Sequence, residues 1–206
     1  MRLGFLVHGL CGYLVRGFLK IEKKKMMKKV WMMIAVLAST LGQIMGQNAD
    51  KYAACCGAEP YEYEHADMSI FVPNVFTPNE DGVNDLFFPH INGKVSEIID
   101  FRILAGDNDE ILFYRNTIVW DNLKNYGWNG NKADGSPFTG PFRYTMKMVN
   151  HKGETLYLEG RACRLDCEDA AEKLKTKEGC FFPEQAGEGD KAGKVDKEKP
   201  NKEKKC

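Results

Sequence analysis

Phe142, Tyr144, Met146 and Met148 alternate with Arg143, Thr145 and Lys147. Successive side chains point to opposite sides only in an extended chain, so this stretch is predicted to be a half-buried strand. Asn150-His151-Lys152-Gly153 then supplies a turn, and Glu154 to Glu159 returns as the partner strand of a hairpin. The same pattern continues upstream. Ser69-Ile70-Phe71-Val72 is a β-prone run stopped by Pro73. Ile98 to Leu104 places Ile99, Phe101 and Ile103 on one face and Asp100 and Arg102 on the other. Glu110 to Tyr114 and Thr117 to Trp120 are further short runs between turn residues. No helical periodicity interrupts Met68 to Gly160. Short strands without helices must bury their apolar faces on each other, which predicts an all-β fold, an immunoglobulin-like β-sandwich over 68–161. Its expected core is Ile70, Val72, Phe76, Phe101, Ile103, Leu112, Trp128, Tyr144, Met146 and Leu156.

The flanks have a different composition. Lys23, Lys24, Lys25, Lys28 and Lys29 precede the apolar run Val30 to Ala38. That run falls short of the roughly 20 apolar residues a spanning helix needs, and the layout is that of a signal peptide ending at Gly46. Residues 1–46 are therefore expected to direct export, with 1–25 read as an upstream mis-assigned start ahead of Met26-Met27. Residues 47–67 show neither period and are expected to be a linker. Residues 162–183 are expected to hold a short helix, with Asp166 as its cap and Gly179 past its end. Residues 184–206 are mostly Lys, Glu, Asp, Gly and Pro and are expected to be a disordered charged tail.

Cleavage at Gly46 leaves six of the seven cysteines, Cys55, Cys56, Cys163, Cys167, Cys180 and Cys206. An even number in an exported chain predicts disulfides, and six cysteines allow about 15 pairings. A bridge from Cys167 or Cys163 to Cys180 is expected to pin the short helix to the rim of the sandwich. Tyr52-Ala53-Ala54-Cys55 has the outline of a lipoprotein box, which would place a lipid on Cys55, although the apolar core lies far from it. The expected location is the outer membrane, cell surface or medium, with the periplasm as a further compartment.

Chemistry-bearing patterns are sparse. Lys plus Arg equals Asp plus Glu, 29 of each, so no global field favours nucleic acid. His65, His90 and His151 lack zinc-helix spacing, and Ser69, Ser96 and Ser136 lack nucleophile-elbow glycines. Trp120, Trp128 and Phe138 suit a core better than a ligand platform. The expectation is a protein without catalytic residues and without a required cofactor. One loop has ligand-like spacing. Asn79, Asp81, Asn84 and Asp85, with Gly82 at the bend, resemble half of a calcium loop. An Asx-turn network that bonds the backbone accounts for the same residues without metal, and is the preferred reading.

The segment containing that loop, Pro73-Asn74-Val75-Phe76-Thr77-Pro78-Asn79-Glu80-Asp81-Gly82-Val83-Asn84-Asp85, is the most specific in the chain. It resembles the opening motif of the gliding motility-associated C-terminal domain family, the type B sorting domains of Bacteroidetes type IX secretion, with Glu80 in place of a glycine. Gly127-Trp128-Asn129-Gly130 matches that family's Gly-Trp-Asp-Gly turn, and Gly140-Pro141-Phe142-Arg143-Tyr144 stands where it has a Gly-x-Tyr-x-Tyr strand. Ala105 to Asp109 replaces its Arg-Trp-Gly turn. The resemblance covers about residues 68–160. It implies a non-enzymatic sorting or surface-attachment module whose partners are outer-membrane secretion or attachment components. The alternative is a free-standing adhesive or structural domain that binds an extracellular protein or glycan.

Overall fold

The computed structural model describes residues 52, 55–57, 61–106, 109–167, 174 and 177–203. The signal peptide, Cys206 and most of the expected helix after Cys167 lie outside the described residues. The protein is mostly β, in two sheets. Strands β1 (Glu62–His65), β2 (Met68–Phe71) and β4 (His90–Ile91) form one, in the order β1-β2-β4. The other holds β3 (Val75–Phe76), β5 (Val95–Ala105), β6 (Ile111–Val119), β7 (Gly140–Asn150) and β8 (Thr155–Arg164), in the order β3-β8-β7-β5-β6. All pairings are antiparallel except β3 with β8, where Val75 lies opposite Cys163.

The alternating strand is β7, and its hairpin to β8 closes as Val149 opposite Thr155. The turn is fixed locally: Asn150 Oδ1 accepts from the backbone N–H of Lys152 (3.0 Å) and Glu154 (2.9 Å), and Gly153 adopts φ 82°. A residue without Cβ reaches that conformation at little cost. Phe142, Tyr144, Met146 and Met148 all face the core. There they meet Met68 and Ile70 of β2, Ile98, Phe101 and Ile103 of β5, and Leu158 of β8. Nine of the ten expected core residues are buried, and Leu156 packs partly buried against them. Each large aliphatic or aromatic side chain removed from water contributes about 1.5–3 kcal/mol, so this shared core is what joins the sheets.

Three expectations need correction. First, the faces of β5 are not simply alternate. Its register shifts between Ile99 and Arg102, Asp100 takes φ 59°, and Ile98 rather than Ile99 joins Phe101 and Ile103 in the core. An inserted residue in one strand reverses the inward side downstream, and simple period-two counting misses it. Second, residues 47–67 are not only a linker. Tyr63 pairs with Ile70 in β1, and its hydroxyl meets the Tyr144 hydroxyl at 2.9 Å; Tyr52 and Cys55 are buried. Third, the charged tail is not disordered through residue 203. It turns at Pro183–Gln185 and Gly189–Lys191 and pairs Ala186 with Val195. It also packs Phe181 and Ala186 on Phe71, on the side of β2 away from the main core. Composition hid these few anchors among exposed ion pairs such as Lys194–Glu64 (2.7 Å). The runs at 110–114 and 117–120 merge into the one strand β6.

Candidate functional site

The loop between β3 and Phe87 is built by its own side chains. Asp85 Oδ1 accepts from the backbone N–H of Asn79 (2.9 Å) and Glu80 (2.8 Å), and Oδ2 accepts from Gly82 N–H (2.6 Å). Asp81 Oδ1 accepts from Val83 N–H (2.9 Å), and Asn79 Oδ1 from Asp81 N–H (3.1 Å). Glu80, Gly82 and Asn84 all have left-handed backbone, at φ 63°, 86° and 56°. Position 80, where the resembling family has glycine, is thus one where a Cβ is a burden.

The four residues weighed as calcium ligands all lie in this loop and bond its own backbone or the C-terminal segment. Both Asp85 oxygens and an oxygen of Asp81 are turned onto backbone N–H groups, and the Asn84 amide points to the C-terminal segment. The arrangement is the Asx-turn network.

The loop is anchored to the core by aromatics. The Phe76 ring lies 5.6 Å from Trp128 and 5.7 Å from Phe87, and the Phe142 ring lies 5.0 Å from Trp128 and 4.8 Å from Phe87, edge-on to each. Phe87 and Trp128 exchange backbone hydrogen bonds of 2.8 and 2.9 Å, and Trp128 Nε1 donates to Asn131 O at 2.7 Å. Gly130, at φ 81°, lies against Pro78 and the Arg164 side chain, where a Cβ would come within 2.8 Å of Arg164 Nε. Arg164 is buried, pairs with Asp166 and donates to Thr139 Oγ1 at 3.2 Å. Trp128 is thus core with Phe138 beside it, as expected; the Trp120 side chain lies outside what is described.

Sequence reasoning missed the loop's second partner, the C-terminal segment. Asn74 Nδ2 donates to Gly179 O (2.7 Å), and its Oδ1 accepts from Phe181 N–H (2.7 Å). Asn84 Oδ1 accepts from Glu184 N–H (3.0 Å), and its Nδ2 donates to Asn201 O (2.9 Å). Thr77 Oγ1 donates to Glu203 Oε2, and Asn79 Nδ2 to Glu203 Oε1 at 3.2 Å. The available signal was three asparagines within eleven residues: buried amides need partners, and Asn74 and Asn84 are buried.

Around this segment, paired charges are held to their ionised forms. Hydrogen bonding to Glu184 raises the pKa of Lys202, and Lys199 lowers that of Glu188. His90 lies beneath, stacked on Phe71 at 5.6 Å and tilted on Phe88 at 4.6 Å. Burial pushes its pKa down from 6.5 to about 4, with Glu184 opposing and Lys199 adding to the shift.

The cysteines pair differently from expectation. Cys55 bonds Cys163 with Cα atoms 5.5 Å apart, and Cys56 bonds Cys180 at 4.8 Å. The Cys167–Cys180 and Cys163–Cys180 bridges do not form. Cys163, opposite Val75, faces a second apolar cluster with Tyr52, Leu165 and Phe182, into which Cys55 inserts. Cys167 is also disulfide-bonded. With its sulfur in a bridge, Cys55 has no thiol left for a lipid. Such bridges form and persist in oxidising compartments, consistent with an envelope or extracellular setting.

Fold and loop together define a mostly β, disulfide-bridged domain with a C-terminal segment clamped on its most distinctive loop. Compared with known proteins, the chain matches no family model and no curated protein.

Proposed function

We propose that this chain is an exported, non-enzymatic module for sorting or surface attachment, an immunoglobulin-like sandwich of the type B kind that engages outer-membrane components. The supporting observation is that the three motif segments carrying the resemblance form one packed unit. Phe76 and Pro78 from the first, Trp128 and Gly130 from the second and Phe142 from the third meet at one end of the core. The disulfides support export. The test is the full chain with an epitope in the exposed turn at 151–153, expressed in a type IX-competent host and in a strain lacking the secretion channel. Surface labelling in the first and not the second is expected. Equal labelling in both strains overturns the sorting reading.

A second reading, a free-standing adhesive domain, is favoured by one feature. The outer face of the five-stranded sheet carries an open groove of about 790 Å³ beside the Asp100 bulge, lined by Ile99, Asn116, Thr145, Lys147 and Tyr157. Tyr157 is 75% exposed there, with the Lys147 ammonium 5.5 Å from its ring. Loss of binding to a glycan or protein array on Tyr157→Ala, with surface delivery intact, would identify that role.

A further inference from the structure

We propose that Thr77, Asn79 and Asn84 form a recognition site for the carboxylate of an acidic peptide turn, and that Glu203 is its built-in occupant. Three donors from one loop converge on one carboxylate: Thr77 Oγ1 and Asn84 Nδ2 (3.5 Å) on Oε2, and Asn79 Nδ2 on Oε1. Glu203 is only 7% exposed, unusual for a glutamate, and hydrogen bonds to an ionised acceptor are the stronger kind. The site reads more than a charge. Asn84 Nδ2 also takes the carbonyl of Asn201, while Asn201 Oδ1 accepts from Glu203 N–H at 3.1 Å across Lys202, at φ 58°. The bound element is therefore an Asn-x-Glu turn that presents a backbone carbonyl and a carboxylate together.

The receptor is preorganised, and the segment that carries its occupant buries little of itself. Asp85 fixes the loop through three backbone N–H groups, none of which involves Glu203. Across residues 187–203, only Gly193 and Glu203 are buried. The rest of the segment is tied by backbone bonds, by Val195 half-buried against the Phe71 cluster, and by ion pairs such as Lys199–Glu188 and Lys202–Glu184, each with one well-solvated member, which add little. A segment with so little buried apolar surface opens locally at lower cost than the sheets. Once it is open, the Glu203 carboxylate leaves this site, and a partner's acidic turn can take its place.

This inference is independent of the sorting reading, because its test contains no secretion component. The oxidised full chain and its Glu203→Ala variant are titrated against a fluorescent peptide copying residues 196–203 and against the Glu203→Gln version of that peptide. The variant should bind the glutamate peptide at least tenfold more tightly than the wild type does, since no tethered competitor remains. It should also prefer that peptide at least tenfold over the glutamine version, and Thr77→Val should erase the preference. Equal binding of both peptides, or none, overturns the proposal. Should the variant misfold, amide exchange in the wild type decides. Millimolar glutamate peptide should accelerate exchange across 187–203 while β7 stays protected, and unchanged exchange refutes the site. Peptide-free dimerisation of the wild type through exchanged segments would overturn the choice of a separate partner.

Discussion

His90 should make the domain lose stability between neutral and mildly acidic pH, in a way that one substitution removes. Its ring is packed between Phe71 and Phe88, and Nε2 is buried without a hydrogen-bond partner. Glu184 raises its pKa and Lys199 lowers it, but burial dominates and holds the folded value near 4 against 6.5 for the free side chain. Below 6.5 the unfolded chain takes up a proton that the folded chain refuses, so stability rises with pH across this window. The contribution is complete above about 6.5, falls by about 1.4 kcal/mol per pH unit below it, and is lost by about pH 4. The whole span is about 3 kcal/mol, a ceiling because the residue keeps some exposed surface. The assay is urea unfolding of the oxidised protein at pH 7, 6, 5 and 4, for wild type and His90→Phe. Phenylalanine keeps the stacking and leaves no buried unbonded nitrogen. Carboxylates such as Asp67 and Asp134, whose pKa values are lowered by hydrogen bonds from Asn150 and Ser136, affect both proteins alike and cancel. The stability difference should shift by about 2–3 kcal/mol in favour of His90→Phe between pH 7 and pH 4. A difference that stays constant over that range would refute the burial argument.

Gly130→Ala should cost about 2–3 kcal/mol in chemical denaturation, from the left-handed backbone and from pressure on Arg164 and Pro78; a loss under 0.5 kcal/mol would show the turn to be loose. Removing the Cys55–Cys163 bridge as a serine pair should cost about 3 kcal/mol, less than the roughly 4.7 kcal/mol for a 100-residue loop. The surviving Cys56–Cys180 bridge still joins nearly the same ends, so the added constraint is only the short stretch from Cys163 to Cys180. A loss near 5 kcal/mol in non-reducing guanidinium would contradict that sharing. Millimolar calcium should leave the melting temperature unchanged, because the Asp85 oxygens already accept three backbone N–H groups; a rise that Asp81→Ala abolishes would restore the calcium reading.

The parts of the fold legible in the sequence are those where one periodic pattern decides the outcome. The β7–β8 hairpin was readable because alternation and an Asn-x-x-Gly turn agree, and nothing in the tertiary structure opposes them. The β5 face was not, because the bulge at Asp100 leaves a pattern, Ile99-Phe101-Ile103, that looks more regular than the strand. The loop's internal design was readable from residue type: short polar side chains beside glycine bond their own backbone, with or without a family to compare. What lay beyond the sequence was the contacts made across a hundred residues or more. Asn84 meets Glu184 at a separation of 100, and Cys56 meets Cys180 at 124.

The charged tail shows why composition failed at that point. Low hydrophobicity predicts disorder because a free segment cannot bury enough surface to offset its ordering entropy. That reasoning assumes the segment must supply the surface itself. Here the sheets supply it. Phe71 is presented on the far side of β2, and the Cys56–Cys180 bridge fixes the segment's start beside it, so Phe181 and Ala186 need cover only that spot. Beyond Ala186, Val195 returns to the same cluster and donates its N–H to Glu62, and the rest is held by hydrogen bonds to a loop that is already rigid, ending in the Glu203 carboxylate. The stability of the segment should therefore grade from its disulfide outward. Native-state hydrogen exchange checks this: protection should be highest near Phe181–Ala186 and fall toward Lys202. Reduction of the bridges should collapse it over the whole segment before the β7–β8 hairpin opens. Simultaneous loss in both places would mean that the segment and the sheets form one cooperative unit, and that its charged half is held by more than the contacts described.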